Sequence, residues 1–183
     1  MATTTSRGAT VFGIWPFNRY RRMELSAGVT NYREEFEDPG VQQYSQQYQE
    51  QQFGRQLLNN GTMTPIGLAF VQETTVFREF GPLAGNTVRL SYEFAPGGGS
   101  LLSRQTIDGD ARKYFRLGGS GLLAFRARGF KSWGENPGYY FFGGNSEMRG
   151  YEYMSFGGNK GWFGNAELRF PLVNAMATPI GIL

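Results

Sequence analysis

The sequence predicts an all-β protein, an antiparallel meander of about eight strands forming part of a transmembrane β-barrel. Three observations carry that expectation. Apolar and polar residues alternate with a period of two through one segment after another, the repeat of a strand that presents two different faces. The connections alternate as well: 16–19, 80–86, 118–120 and 173–176 are short, whereas 37–64, 95–102 and 135–160 are long. Outer-membrane barrels show that asymmetry, with short periplasmic turns and long outer loops. Composition is the third observation. The 183 residues include 27 glycines and 16% aromatics, which would serve turns and interfacial belts. Mean hydropathy is −0.41, and no run approaches the roughly 18 uninterrupted apolar residues of a membrane-crossing helix.

The strands follow in order. Runs over 8–17 and 20–36 form a hairpin through Pro16-Phe17-Asn18-Arg19, with Met23, Leu25, Ala27 and Val29 on one face and Arg22, Glu24, Ser26 and Thr30 on the other. Residues 37–64 break the pattern with Asp38-Pro39-Gly40, a glutamine-rich tract and Asn59-Asn60-Gly61, and read as a long polar loop, with a short helix as the alternative. A third strand spans 66–77. After a compact turn over 80–86, Val88, Leu90, Tyr92 and Phe94 alternate with Thr87, Arg89, Ser91 and Glu93. A fifth strand sets Ile107, Gly109, Ala111, Phe115 and Leu117 against Asp108, Asp110, Arg112, Tyr114 and Arg116.

Gly118-Gly119-Ser120 turns the chain into a sixth strand, where Leu123, Phe125 and Ala127 oppose Arg126 and Arg128. Pairing Leu117 with Gly121 fixes the register and sets Asp110 opposite Arg128 and Arg112 opposite Arg126. A seventh strand runs through Asn165 to Leu172, and an eighth starts at Thr178. The apolar band of Val88, Leu90, Tyr92, Phe94, Ile107, Phe115, Leu123 and Phe125 is expected to face lipid. Asp110 and Arg128 are expected to form a lumenal pair.

Several function classes are set aside by residue type. With no histidine and no cysteine, the usual zinc sites, Ser-His-Asp triads, Cys-His pairs and disulfides cannot form. Gly157-Gly158-Asn159-Lys160 lacks the spacing and following hydroxyl of a phosphate-binding loop. The net charge of +3, dispersed along the chain, gives no nucleic-acid footprint. Asp108 and Asp110 admit a Ca²⁺ reading, outweighed by the arginines that share their face. Asn60-Gly61-Thr62 matches a glycosylation sequon but is first a turn signal. No catalytic residue, cofactor or metal is expected.

Gly143-Gly144-Asn145-Ser146-Glu147-Met148-Arg149-Gly150-Tyr151, followed by Asn165-Ala166-Glu167-Leu168-Arg169-Phe170-Pro171-Leu172, resembles the BamA-like outer-membrane assembly superfamily, also called the bacterial surface antigen family. The match covers roughly 74–172. In that family an Arg-Gly-aromatic loop tip folds into the barrel lumen, where the arginine meets acidic groups on neighbouring strands. The resemblance therefore assigns Met148, Arg149, Gly150 and Tyr151 to a lumen-docking loop, with Glu167 as the first acidic partner and Asp108 and Asp110 as the next.

It further implies a protein of the bacterial outer membrane, in contact with its lipids and involved in outer-membrane protein assembly, insertion or translocation, without chemical catalysis. Family members are typically sixteen-stranded, often behind periplasmic domains. This sequence carries no separate periplasmic domain and lacks the apolar core of a secretory signal at its N-terminus. The whole of 1–183 is thus expected to be a barrel segment, with other envelope proteins or missing strands as partners. The alternative is a soluble lipocalin-like barrel binding a small apolar ligand.

Overall fold

Strands that alternate this regularly pair with like faces on the same side, because a slip of one residue would carry every side chain to the wrong surface. The computed structural model, which describes residues 2–53, 60–78, 81–99, 101–118, 121–170, 177–178 and 181–182, is built on such pairing. Its elements are β1 (Ala2–Asn18), β2 (Arg21–Phe36), α1 (Pro39–Phe53), β3 (Gly61–Met63), β4 (Ile66–Glu73), β5 (Val76–Arg78), β6 (Gly81–Ala95), β7 (Arg104–Leu117), β8 (Gly121–Trp133), β9 (Tyr140–Phe142), β10 (Phe156–Gly158), β11 (Lys160–Arg169), β12 (Ala177–Thr178) and β13 (Gly181–Ile182). The main sheet has the order β1-β2-β4-β6-β7-β8-β11, an antiparallel meander, with β3 added to β2 and β5 to β6. Among the described residues the sheet stays open, with β1 at one edge and β11 at the other.

Local chemistry explains the connections. Asn18 turns β1 into β2 by accepting the Tyr20 and Arg21 amides on its side-chain oxygen, at 2.8 and 3.0 Å. The predicted register of the β7–β8 hairpin is present: Leu117 pairs Gly121, Asp110 pairs Arg128 and Arg112 pairs Arg126. Gly118 takes the left-handed conformation, φ 60°, while Gly119 and Ser120 lie outside the described residues.

Four expectations are corrected. The glutamine-rich tract is not a loop over Pro39–Phe53 but a helix. Asp38 caps it, its carboxylate accepting the Gly40 amide at 2.8 Å, and Pro39 occupies the first helical position, where its missing N–H costs nothing. The third strand breaks after Glu73, so β4 and β5 are separate. The turn expected over 80–86 is extended chain from Gly81 onward, pairing with β5. The long connection 135–160 carries its own hairpin, β9 with β10. Of the expected eighth strand, the described pieces β12 and β13 pair only with each other; the turn over 173–176 and the remainder lie outside the described residues.

The two faces of the sheet invert the soluble arrangement. Leu25, Leu68, Leu90, Phe125 and Leu168 all stand on the apolar face and are all exposed. The opposite face carries Glu24, Asp108, Asp110, Arg126 and Arg128, which are half-buried or better. A cavity of about 560 Å³ lies on this polar side, lined from β1, β2, β4, β6, β7 and β8, so the sheet curls around its charges. Among the described residues no large side chain is fully buried. A small cluster of Met63, Ala95 and Leu102 against Tyr32 holds the long connections at one end.

The apolar band also slants. Starting from Lys160 and following the paired residues across the sheet leads through Lys131, Ile107, Tyr92 and Leu68 to Leu25, six residues short of Asn31, where the apolar face of β2 ends. The other border shifts equally: from Arg21 the same path reaches Gly164, and the apolar alternation continues six residues further, to Phe170 just past the end of β11.

Candidate functional site

The inner face of β7, β8 and β11 concentrates charge because alternation sends every second residue there, and in these strands the second residues are Asp108, Asp110, Arg112, Arg126, Arg128, Asn165, Glu167 and Arg169. Their pairing follows the twist of the sheet. Asp110 sits opposite Arg128 in register, yet its carboxylate is held by Arg126 at 2.7 Å and Arg112 at 2.9 Å. Arg128 reaches the other way, to Asp108 at 3.3 Å. The expected Asp110–Arg128 pair is therefore replaced by two diagonal ones. Right-handed twist brings each residue toward the diagonal neighbour on the next strand, within reach of a long arginine.

The long loop lies on this wall. Phe163 and Phe130, both buried on the inner face, receive Phe142 from β9; Phe142 stacks on Phe163 at 5.6 Å between ring centres and meets Phe130 edge-on at 5.8 Å. Phe156 stacks on Phe142 from β10, and Tyr151 meets Phe156 edge-on at 5.1 Å. Gly161 leaves the space this cluster needs, since a Cβ there would come within 2.9 Å of the Phe130 ring.

Beyond the aromatics the loop tip is fixed by Glu147. One carboxylate oxygen takes the Arg128 guanidinium at 3.0 Å, and the other accepts the Gly143 amide at 3.0 Å, which closes the loop on itself. The Arg126 guanidinium donates to the Ser146 carbonyl at 3.0 Å, and the Asn165 amide donates to the Glu147 carbonyl. Gly143, φ 140°, makes the bend possible; a Cβ there would meet the Glu152 carbonyl at 2.6 Å.

Of the residues singled out in the sequence, Arg149 does approach Glu167, but at 3.7 Å and with 66% of its side chain exposed. Glu167 is held more closely by Arg169, at 2.6 Å. Met148 closes a turn by donating its amide to the Gly144 carbonyl at 2.8 Å, and Gly150 takes φ 89°. Asp108 and Asp110 are occupied by strand arginines rather than by Arg149. The acidic residue that docks the loop, Glu147, was missed.

A signal for it exists in the sequence. The inner faces of the fifth and sixth strands carry Arg104, Arg112, Arg116, Arg126 and Arg128 against only Asp108 and Asp110, so an acid has to come from elsewhere. Among the described residues no group of His, Cys, Asp or Glu could hold a metal ion, and no helix is long and apolar enough to cross a membrane. Comparison with protein-family models and with curated protein sequences finds no match.

Proposed function

We propose that this chain forms part of the wall of a transmembrane β-barrel in a bacterial outer membrane, that it belongs with the BamA-like assembly superfamily, and that it takes part in inserting or translocating envelope proteins. The observation that carries the membrane reading is the inversion of the sheet: exposed leucines and phenylalanines on one face, half-buried ion pairs on the other. Water would impose the opposite pattern, because exposing an apolar face of this extent forgoes about 25 cal/mol for each Å² left unburied.

The slant of the band supports the same reading. Six residues of drift over five strand-to-strand steps, at about 3.3 Å per residue and about 4.8 Å per strand, corresponds to a strand tilt of roughly 40° from the membrane normal, within the range of outer-membrane barrels. The inward-folded loop with Arg149-Gly150-Tyr151 supports the family. A soluble barrel for an apolar ligand would place its apolar residues inside, where this sheet has charges.

All three tryptophans, Trp15, Trp133 and Trp162, stand on the apolar face. Reconstituted into phosphatidylcholine vesicles, the protein should lose most of its tryptophan emission to brominated acyl chains and little to acrylamide. Emission insensitive to the brominated lipid would refute the membrane reading.

A further inference from the structure

We infer that the space between the docked loop and the β7–β8–β11 wall is a binding site for a phosphate-type dianion. The cavity is about 180 Å³ and is lined by Arg112 from β7, Arg126 from β8, Arg169 from β11 and Arg149 from the loop. Four arginines thus line it from four separate elements. Two carboxylates stand against them: Asp110, which Arg112 and Arg126 share, and Glu167, which Arg169 holds. The balance at the cavity is two positive charges, and the group least compensated is Arg149, whose one ion pair among the described residues is the 3.7 Å approach to Glu167.

The arrangement selects an oxyanion of a particular shape. A planar carboxylate is satisfied by one or two forks in its plane, as Asp110 already is. Arg112 and Arg126 already bind Asp110, Arg126 also binds the Ser146 carbonyl, and Arg169 binds Glu167, so Arg149 is the least engaged donor, with three more guanidinium charges behind it; a tetrahedral group of charge two matches that surplus. Asn145 and Tyr114 add neutral polar groups to the lining. Glu147 gives the site its fourth wall, because it holds Asn145, Ser146 and Arg149 over the strands. The inference rests on this local geometry and stands apart from the membrane reading.

The test is calorimetric titration of the folded protein in dodecyl maltoside with inorganic phosphate, at constant ionic strength set by sodium chloride. Saturable binding at one site is expected, weakened about tenfold or more by Arg149→Gln, a change at an exposed side chain that leaves the fold intact. Arg89→Gln, on the same inner face but outside the cavity, should bind as the parent does. No saturable binding, or equal loss in the two variants, overturns the inference. Glycerol 3-phosphate and micelles doped with phosphatidic acid separate the sources. Binding of glycerol 3-phosphate, with or without the lipid, marks a site open to a soluble phosphate ester, binding of the lipid alone marks a headgroup, and binding of neither overturns the site.

Discussion

Replacing Glu147 with Gln removes the charge that ties the loop to the inner face of the sheet while keeping its size. Its side chain is only 19% exposed; the loss falls on the ion pair with Arg128 at 3.0 Å and on the bond from the Gly143 amide at 3.0 Å. Fully exposed pairs contribute about 0–1 kcal/mol and fully buried ones cost about 3–5 kcal/mol when broken, so a pair this far from solvent, with Arg128 a third exposed, sits near 2 kcal/mol. The aromatic stack on Phe163 remains, so the tip opens and the base of the loop stays. An opening free energy lowered by about 2 kcal/mol raises the open population about thirty-fold. Chymotrypsin cleavage at Tyr151 and Tyr153 follows that population when reclosing is faster than cutting. The Glu147→Gln protein should therefore be cut some thirty times faster, and Arg149→Ala less than three times faster, since its ion pair is long and exposed. Cleavage accelerated as much by Arg149→Ala, or unchanged in Glu147→Gln, would show that Glu147 does not hold the loop.

Three more outcomes follow from the geometry. Leu90→Arg and Phe125→Arg, both on the exposed apolar face, should each cost about 2–4 kcal/mol when the protein is refolded into lipid vesicles and much less in a water-facing role; urea titration of the vesicle-bound protein measures this. Asp110→Asn should cost about 3 kcal/mol, because Arg126, 17% exposed, loses its carboxylate. A double-mutant cycle should then find coupling of Asp110 to Arg126 well above its coupling to Arg128. Gly161→Ala should cost about 1–3 kcal/mol by pressing on Phe130, whereas Gly13→Ala, with open space around its Cβ position, should stay within about 0.5 kcal/mol.

Much of the sheet was legible because alternation is a local property. The faces of β2, β6, β7 and β8 could be read residue by residue, and the short Leu117–Gly121 turn fixed one register outright. The diagonal ion pairs were not legible, since parity assigns a face but not the offset that twist adds along it. Asp38-Pro39 reads as a breaker beside a glutamine-rich composition, although the same two residues cap and start α1. The loop sequence marks Arg149 by its flanking Gly150 and Tyr151 and gives Glu147 no such mark; which side chain of the tip meets Arg128 depends on the fold. The stack under the loop was not legible either, since it joins Phe130, Phe142, Phe156 and Phe163 from four strands and has no period to betray it.

The slanted band also sets a thickness. On β2 the apolar face is bounded by Arg21 and Asn31, and on β11 it runs from Lys160 to Phe170, in both cases ten residues apart. At about 3.3 Å per residue and a tilt of roughly 40°, that length projects to a height of about 25 Å, against about 30 Å for an average hydrocarbon core. In the membrane role proposed above, a band of this height would match a thin bilayer and compress a thick one, so lipid chain length would control where the protein can fold. Insertion should be fastest into short-chain phosphatidylcholine and should slow as the acyl chains lengthen past the match.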